Sequence, residues 1–425
     1  MNQTNFESLN PKEWKLKVQA ELAGLDYNEV LVSDTAEGIQ IKPVYSEEDR
    51  NPDESQGIKT TKDWKILGEF LNSEQQDSSY LYGFTVNDNK APATLNLPKH
   101  LDLFFDCTQP QSLFSSLDFS KIENLKYLSL DPIGNLAKTG NWWNSKEEDF
   151  HFTHQILSLD FFEKQIAIDA SLYQNAGANQ TQQIAFAIAH AVEYLEIFGS
   201  ETASKLFFKI AVGGNYFFEI AKLRALRKLW DFLLLESYEQ KTETFIFAET
   251  SLRNKSRLDL HNNLIRNTLE AASAIQGKAD VVKILSFDKV NENSLFSEEL
   301  ASKQQLLLQK ESYFDKFEDP VAGSYFIENL TELLIKNALD LFLKIESEGG
   351  FLNSLLKGNI QKFIRKSAEK EQLAFDEGEL ILIGVNKFKN PEDKIQIRKK
   401  EKNRRKTLIE SILPKRLAEK IENMQ

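Results

Sequence analysis

The side chains best suited to proton transfer are carboxylates at the ends of short apolar runs. Asp106, Asp131 and Glu249 stand at such positions, and Cys107 follows the first of them. Carboxylates at strand ends act as acids or bases in barrel enzymes, but they also cap the helices that follow strands. Cys107 has no identifiable base, so its pattern favours a small buried side chain over a nucleophile. These residues do not form a recognisable catalytic set.

The histidines and glycines give little sign of a metal or phosphate site. His151 and His154 are close in sequence, but no carboxylate or cysteine stands at a spacing typical of zinc. His190 falls within a predicted helix and His261 at a helix start, where we expect surface or capping residues. The glycine pair 213–214 lies between a strand and a helix. It is compatible with a phosphate cradle and with a tight turn, and two adjacent glycines favour the turn.

The elements that would position these residues alternate between strand and helix. Apolar runs predict eight strands, and amphipathic helical segments separate the later ones. Successive right-handed strand–helix units require parallel strands with helices outside. We therefore predict an α/β fold, a (β/α)8 TIM barrel, with an open doubly wound sheet as the alternative. The predicted strands are residues 64–70, 79–85, 101–107, 127–130, 165–172, 206–212, 244–249 and 281–287.

The composition is that of a globular protein with a dense interior. Of the 425 residues, 41% are hydrophobic and 27% are charged, and 30 are phenylalanine. The net charge of −12 argues against a nucleic-acid partner. No apolar run approaches the roughly 20 residues of a membrane helix, and no secretory signal is visible. With a single cysteine, the chain is expected in the cytoplasm.

Three regions are predicted along the chain. Residues 1–60 form an N-terminal extended and helical arm with a linker, residues 61–390 the barrel, and residues 391–425 a basic tail. The basic cluster at 398–406 could bind an anion, but without interleaved aromatic residues the pattern favours a solvated strap. Residues 319–350 predict the turn of the last barrel unit and a helix that begins at Thr331.

Six motifs, in the same order along the chain, resemble those of the methylmalonyl-CoA mutase family. They are specific as a set and extend over most of the chain. The motifs are TAEGIQIKPVY at 35–45, QNAGA at 174–178, NYFFEIAKLRA at 215–225, NN…RNT…EA between 262 and 271, DPVAGSYFIENLT at 319–331 and IGVNKF at 383–388.

The resemblance implies a (β/α)8 barrel and a known chemistry. In catalytic members acyl-CoA passes through the barrel, and a separate C-terminal domain with the motif D-x-H-x-x-G binds adenosylcobalamin. The reaction is a radical interconversion of methylmalonyl-CoA and succinyl-CoA, in which the cofactor supplies the difficult chemistry. Within the family, the chain is similar to the small subunit of the two-chain bacterial enzyme. It contains no D-x-H-x-x-G, so no cobalamin-binding flavodoxin-like domain is expected.

Several positions depart from the catalytic pattern that the resemblance implies. Leu172 stands where catalytic members have a substrate-binding histidine, and Phe207 replaces a serine that faces the substrate. Phe247 replaces another histidine and Glu249 a glutamine. Phenylalanines at strand positions should fill the barrel axis. Two residues of the NN…RNT…EA motif match corrin-side positions, although they also suit an ordinary helix: Glu270 and Ala271.

These departures predict a non-catalytic small subunit. It would pair with a large catalytic subunit as a heterodimer, its arm at residues 1–45 wrapping that partner. Adenosylcobalamin would bind through the large subunit and not to this chain alone, and no residue of this chain would be catalytic. Two alternatives remain. One is an active acyl-CoA mutase barrel that uses a cobalamin domain in trans, and the other is a scaffold protein derived from the mutase barrel.

Overall fold

The computed structural model describes residues 11–49, 58, 63–70, 80–87, 101–107, 110, 124–160, 162–291, 294–393 and 406–423. The predicted basic cluster at 398–406 lies outside these residues except for Lys406. The three predicted regions remain a prediction, because residues 59–62 and 394–405 lie outside the described part of the chain.

Eight parallel strands close into a barrel. Each strand pairs with the next along the chain, and the last returns to pair with the first. This confirms the predicted (β/α)8 barrel and shows that the open sheet is wrong. A two-stranded hairpin, β1 (Ser33–Asp34) and β2 (Gln40–Ile41), precedes the barrel. The barrel strands are β3 (Lys65–Glu69), β4 (Gly83–Asn87), β5 (Asp102–Asp106), β6 (Leu125–Leu130), β7 (Lys164–Asp169), β8 (Leu206–Val212), β9 (Ile246–Thr250) and β10 (Val281–Lys283).

Helices surround the described strands, and none of these helices is both long and apolar enough to cross a membrane. Some of them begin at capping side chains: Asn179 and Gln182 form a capping box at the start of α6. The helices are α1 (Pro11–Glu21), α2 (Tyr27–Leu31), α3 (Pro132–Thr139), α4 (Lys146–Leu157), α5 (Ser171–Asn175), α6 (Gln180–Phe198), α7 (Tyr216–Tyr238), α8 (Asn262–Gln276), α9 (Leu295–Lys310), α10 (Tyr325–Ser347), α11 (Gly350–Leu356), α12 (Asn359–Glu377) and α13 (Glu419–Glu422).

Strand alternation divides the core into an outer and an inner part. On β8, Phe208 and Ile210 pack outward against the helices, whereas Phe207 belongs to a separate cluster around the barrel axis. Phe208 meets the Trp230 ring of α7 edge-on at 5.3 Å. Because successive side chains point to opposite faces of a strand, every second residue is available to fill the interior.

Residues 319–350 differ from their prediction. The helix begins at Tyr325 instead of Thr331, because Ser324 caps it by accepting a hydrogen bond from the Ile327 N–H. This helix, α10, packs on α6 and α7, whereas α9 is the helix that follows β10. The segment is therefore not the last barrel unit. Its Asp-Pro turn is held by Asp319, which accepts hydrogen bonds of 3.0 and 2.8 Å from Arg224.

The second half of the predicted arm lies on this chain. Ile39 is buried, and the side-chain amides of Asn179 and Asn337 donate to the carbonyl oxygens of Ala36 and Glu37. The expectation that residues 1–45 wrap a partner stays a prediction, and this part of the arm also packs on its own chain. By contrast, α1 contains no buried residue.

Candidate functional site

The middle of the barrel interior is filled by an aromatic cluster, here called the aromatic layer. Phe104 stacks on Tyr127 with 3.9 Å between ring centroids, and Phe247 lies 5.7 Å from Phe104. Tyr127 and Phe207 both contact the Phe245 ring. Rings in such contact leave no channel along the axis. The members of the layer are Leu67, Phe104, Tyr127, Ala167, Phe207, Phe247 and Val281.

An ionic layer follows toward the carboxyl ends of the strands. It consists of the residues two positions after members of the aromatic layer, which point to the same face of each strand. Lys209 Nζ lies 3.3 Å from Asp106 and 3.9 Å from Glu249. Lys283 Nζ lies 3.6 Å from Glu69 and donates to the Thr85 hydroxyl at 2.6 Å. The layer is thus defined by Glu69, Asp106, Lys209, Glu249 and Lys283.

In the ionic layer, Lys209 and Asp106 stabilise each other's charged forms. Burial by itself would lower the pKa of Lys209, but the carboxylates of Asp106, Glu249 and Asp169 outweigh burial and raise this pKa above its usual value. Burial likewise opposes ionisation of Asp106, yet Lys209 and Lys283 hold its pKa below the usual value. Lys209 and Asp106 therefore hold each other in their charged forms.

The amino ends of the strands are closed by a third set of polar residues. The Tyr127 hydroxyl donates to Glu163 at 2.9 Å, and Lys65 Nζ lies 3.3 Å from the same hydroxyl. Lys126 pairs with Glu163 at 3.0 Å and with Asp102 at 3.4 Å. Burial raises the pKa of Tyr127 well above its usual value, so this phenol remains a neutral donor. Polar side chains thus cover the aromatic layer from below.

The structure brings three of the four substituted family positions into the barrel interior. Phe207 and Phe247 lie in the aromatic layer, where strand placement predicted them, and Glu249 lies in the ionic layer. Leu172 is elsewhere, because strand β7 ends at Asp169 and residue 172 belongs to the short helix α5. There Leu172 is buried in the outer core. The predicted strand over 165–172 is therefore wrong at its carboxyl end.

The two residues that match corrin-side positions have internal roles. Both carboxylate oxygens of Glu270 accept hydrogen bonds of 2.7 Å from Lys255, and one also accepts from Asn254 at 2.8 Å. Burial raises the pKa of Glu270 and lowers that of Lys255, since neither ion is hydrated. Ala271 is fully buried in α8. These contacts support the ordinary helix interpretation of both residues.

The carboxyl end of the barrel is crossed by residues 406–423, here called the C-terminal strap. The Leu408 N–H donates to the Gly140 carbonyl at 2.9 Å, and the Leu417 N–H donates to the Arg253 carbonyl at 3.0 Å. Gly140 has a φ of +80°, and a Cβ there would lie 2.6 Å from the Ile409 carbonyl oxygen. Only glycine therefore allows this close approach. The strap joins the loop that follows α3 to the loop that follows β9.

A buried network that the sequence did not reveal joins β6, α5 and α6. His190 is fully buried, not a surface residue: its Nε2 lies 3.0 Å from Asp131, and its Nδ1 lies 2.9 Å from the Tyr173 hydroxyl. Asp131 also accepts from Tyr194 at 2.6 Å and caps α3 through Gly134. The prediction of a surface histidine is wrong because every residue of α6 from Gln183 to Val192 is buried and because α10 packs on this helix. A polar residue in so apolar a helix was the available signal.

The remaining candidates give no open site in the described part of the chain. A Cβ at Gly213 would lie 2.4 Å from Gln174 Nε2, and the Glu219 carboxylate is nearby. The glycine pair therefore serves a close approach in a tight turn, not a phosphate. Among the described residues no group of three or more histidine, cysteine or acidic side chains is arranged to hold a metal.

The described barrel interior does not fit the acyl chain and adenosyl group that the resemblance implies for catalytic relatives. The axis is occupied by side chains at three levels, from Lys65 through Phe104 to Lys209. The donors that remain in the ionic layer are used within it. The side chains of the barrel interior therefore stabilise the barrel through contacts with one another, without a ligand.

Comparison with known proteins gives a consistent family assignment. The family model described as methylmalonyl-CoA mutase matches residues 128–424. The methylmalonyl-CoA mutase small subunit of Porphyromonas gingivalis is 29% identical, with 91% of this chain and 71% of that protein aligned.

Longer mutases match as well. The methylmalonyl-CoA mutase of Rhizobium meliloti is 34% identical over 55% of this chain and 35% of its own length. The human mitochondrial methylmalonyl-CoA mutase is 26% identical over 92% of this chain and 62% of its own length. The chain therefore spans between one third and two thirds of these longer relatives. Because the family model covers more than half of it, the chain belongs to the methylmalonyl-CoA mutase family.

Proposed function

We propose that this chain is the non-catalytic small subunit of a heterodimeric, adenosylcobalamin-dependent methylmalonyl-CoA mutase. The large subunit would bind the cofactor and interconvert methylmalonyl-CoA and succinyl-CoA, in the cytoplasm. One observation carries the proposal: the space that a substrate would need along the barrel axis is filled by the aromatic and ionic layers. Phe207 and Phe247 cannot polarise a thioester carbonyl or bind a carboxylate, since they carry no hydrogen-bond donor.

The likeness to a protein named as a small subunit supports a large-subunit partner. The exposed part of the arm supplies a candidate contact. Helix α1 has no buried residue, and three apolar side chains near it are open to solvent: Leu16 is 70%, Leu25 59% and Val30 49% exposed. We infer that residues 11–31 pack on the large subunit, since apolar side chains on an unsupported helix gain stability only by docking.

Turnover measurements test the proposal. The chain alone, supplied with adenosylcobalamin and methylmalonyl-CoA, should form no succinyl-CoA, while the complex with a co-expressed large subunit should be active. Turnover by this chain alone would contradict the proposal. If this chain becomes active when only a separate cobalamin domain is added, the result would instead support the alternative of an active barrel that uses a cobalamin domain in trans.

Association is tested separately by co-purification of the large subunit. A variant that lacks residues 1–31 should lose it, whereas a Leu408→Ser variant, changed at an exposed position of the C-terminal strap, should retain it. Retention by the truncated variant would show that the arm does not form the contact. Failure of the full chain to bind any large subunit would favour the scaffold alternative.

A further inference from the structure

An unassigned cavity lies outside the barrel, below the amino ends of β3 and β10. Its volume is about 160 Å³. A dry cavity of about 150 Å³ is enough to hold a benzene-sized molecule. Aromatic side chains form much of its wall, and two of them, Tyr313 and Phe317, remain 58% and 65% exposed. The full lining consists of Trp64, Ile275, Gln276, Lys278, Ala279, Ser312, Tyr313, Phe314, Phe317 and Pro320.

Lys278 is the unusual member of this wall. It is only 7% exposed, and its Nζ has no hydrogen bond or ion pair with any residue that the structure describes. Lysine is almost never so buried without a partner. Its backbone is also in the left-handed region, with φ of +68°, which glycine adopts more easily. The Arg227 guanidinium fixes this conformation by donating to the Lys278 carbonyl at 2.8 Å.

The neighbouring charges do not neutralise Lys278. Arg224 is paired with Asp319 and Glu328, and Arg227 is paired with Asp280. Asp319 is thus already used, and Glu318 is exposed and makes no ion pair with Lys278. Among the described residues, the Lys278 ammonium therefore has no ion-pair partner. Burial lowers its pKa, and nearby carboxylates only partly compensate.

We propose that this cavity binds a small organic anion with an apolar body, such as an aromatic or short branched carboxylate. The carboxylate would accept a charge-assisted hydrogen bond from Lys278, and the apolar body would be covered by Trp64, Phe314 and Phe317. Such a ligand supplies the missing partner of a buried cation and covers two exposed rings at once. The site is independent of the barrel axis and of the proposed subunit role.

Benzoate and benzamide form a matched pair of probes, because they share shape and differ in charge. Isothermal titration of the full chain should show saturable benzoate binding at one site and at least about tenfold weaker benzamide binding. Lys278→Met should weaken benzoate binding about tenfold. Lys316→Met, which changes an exposed lysine of the adjoining loop that pairs with Asp315, should leave it unchanged.

Three results would overturn the proposal: no saturable benzoate binding, equal affinity for benzamide, or equal affinity in the Lys278→Met protein. If Lys278→Met does not fold, the benzoate and benzamide titrations of the unchanged chain still decide. Phe317→Ala then provides a second variant, since its exposed ring can be removed without opening the core. It should bind benzoate several-fold more weakly, and unchanged affinity would place the ligand elsewhere.

Discussion

Two lysines whose side chains are largely buried, one in the barrel interior and one in the wall of the cavity beside it, have opposite surroundings. Lys209 lies among the carboxylates of the ionic layer, which outweigh burial and raise its pKa. Lys278 contacts none, and burial lowers its pKa. Burial alone therefore does not reveal what a charge does in this protein. In the barrel the charged side chains pair with one another, so none is free to bind a substrate. In the cavity wall, Lys278 has no such partner among the described residues.

The largest expected effect comes from emptying the aromatic layer. Phe104 is 2% exposed and stacks on both Tyr127 and Phe247. Phe104→Ala should lower the free energy of unfolding by about 3–5 kcal/mol, because a cavity replaces packed rings. Urea unfolding at neutral pH measures this change. Phe388→Ala, at a 73% exposed position, is the control and should change stability by less than about 0.5 kcal/mol.

A Phe104→Ala protein as stable as the unchanged chain would show that the barrel interior is loosely packed. The aromatic layer would then not exclude a substrate, and the comparison between a closed interior and an open cavity would fail.

The second effect comes from removing the cation of the ionic layer. Lys209→Met leaves Asp106 and Glu249 as like charges without their partner. We expect a loss of about 2–3 kcal/mol at pH 7, less than for a fully buried pair because Asp106 remains 27% exposed. Lys420→Met, which breaks an exposed pair with Asp376, should cost less than about 1 kcal/mol.

The pH dependence of the Lys209→Met effect has a definite sign. The folded chain holds the pKa of Asp106 below its usual value. The stability from this carboxylate is therefore present above the unfolded pKa of about 4. It is lost as the pH falls through the lower, folded value. Without Lys209 the depression is reduced, so the difference between the two proteins should shrink on acidification. A constant difference down to low pH would show that Lys209 acts by packing alone.

The barrel was predictable from the sequence, but the contacts that its polar residues make in the folded protein were not. Strand–helix alternation and the phenylalanines at 207 and 247 give local signals that survive folding, and the closed barrel and the aromatic layer follow from them. Asp106 and Glu249 share the strand-end position with Asp131. In three dimensions the first two join Lys209, while Asp131 binds His190 from a helix about 60 residues later along the chain.

The cavity could not be predicted at all. Its wall is assembled from residues near positions 64, 278 and 317, and no local pattern relates residues so far apart. The start of α10 was misplaced for a related reason: both Ser324 and Thr331 can cap a helix, and only the turn at Asp319, held by Arg224, decides between them.

The smallest effect is the most direct test of the comparison, because the same substitution should have the opposite sign at the second lysine. Lys278→Met removes a cation that has no ion pair with a described residue, and it keeps a similar length of apolar chain. We expect it to raise the free energy of unfolding by about 1 kcal/mol in the absence of ligand. Differential scanning calorimetry of the two methionine variants beside the unchanged chain measures both signs under one condition.

Benzoate should reverse the order of stability at Lys278. A ligand at one hundred times its Kd for the unchanged chain stabilises that chain by about 2.7 kcal/mol, whereas a variant that binds about tenfold more weakly gains about 1.4 kcal/mol. The unchanged chain gains about 1.3 kcal/mol more, which exceeds the advantage of about 1 kcal/mol that the variant has without ligand. A destabilised Lys278→Met protein without ligand would mean that Lys278 has an internal role like that of Lys209. If benzoate does not change the order of stability of the two proteins, the Lys278 ammonium does not bind an anion in this cavity.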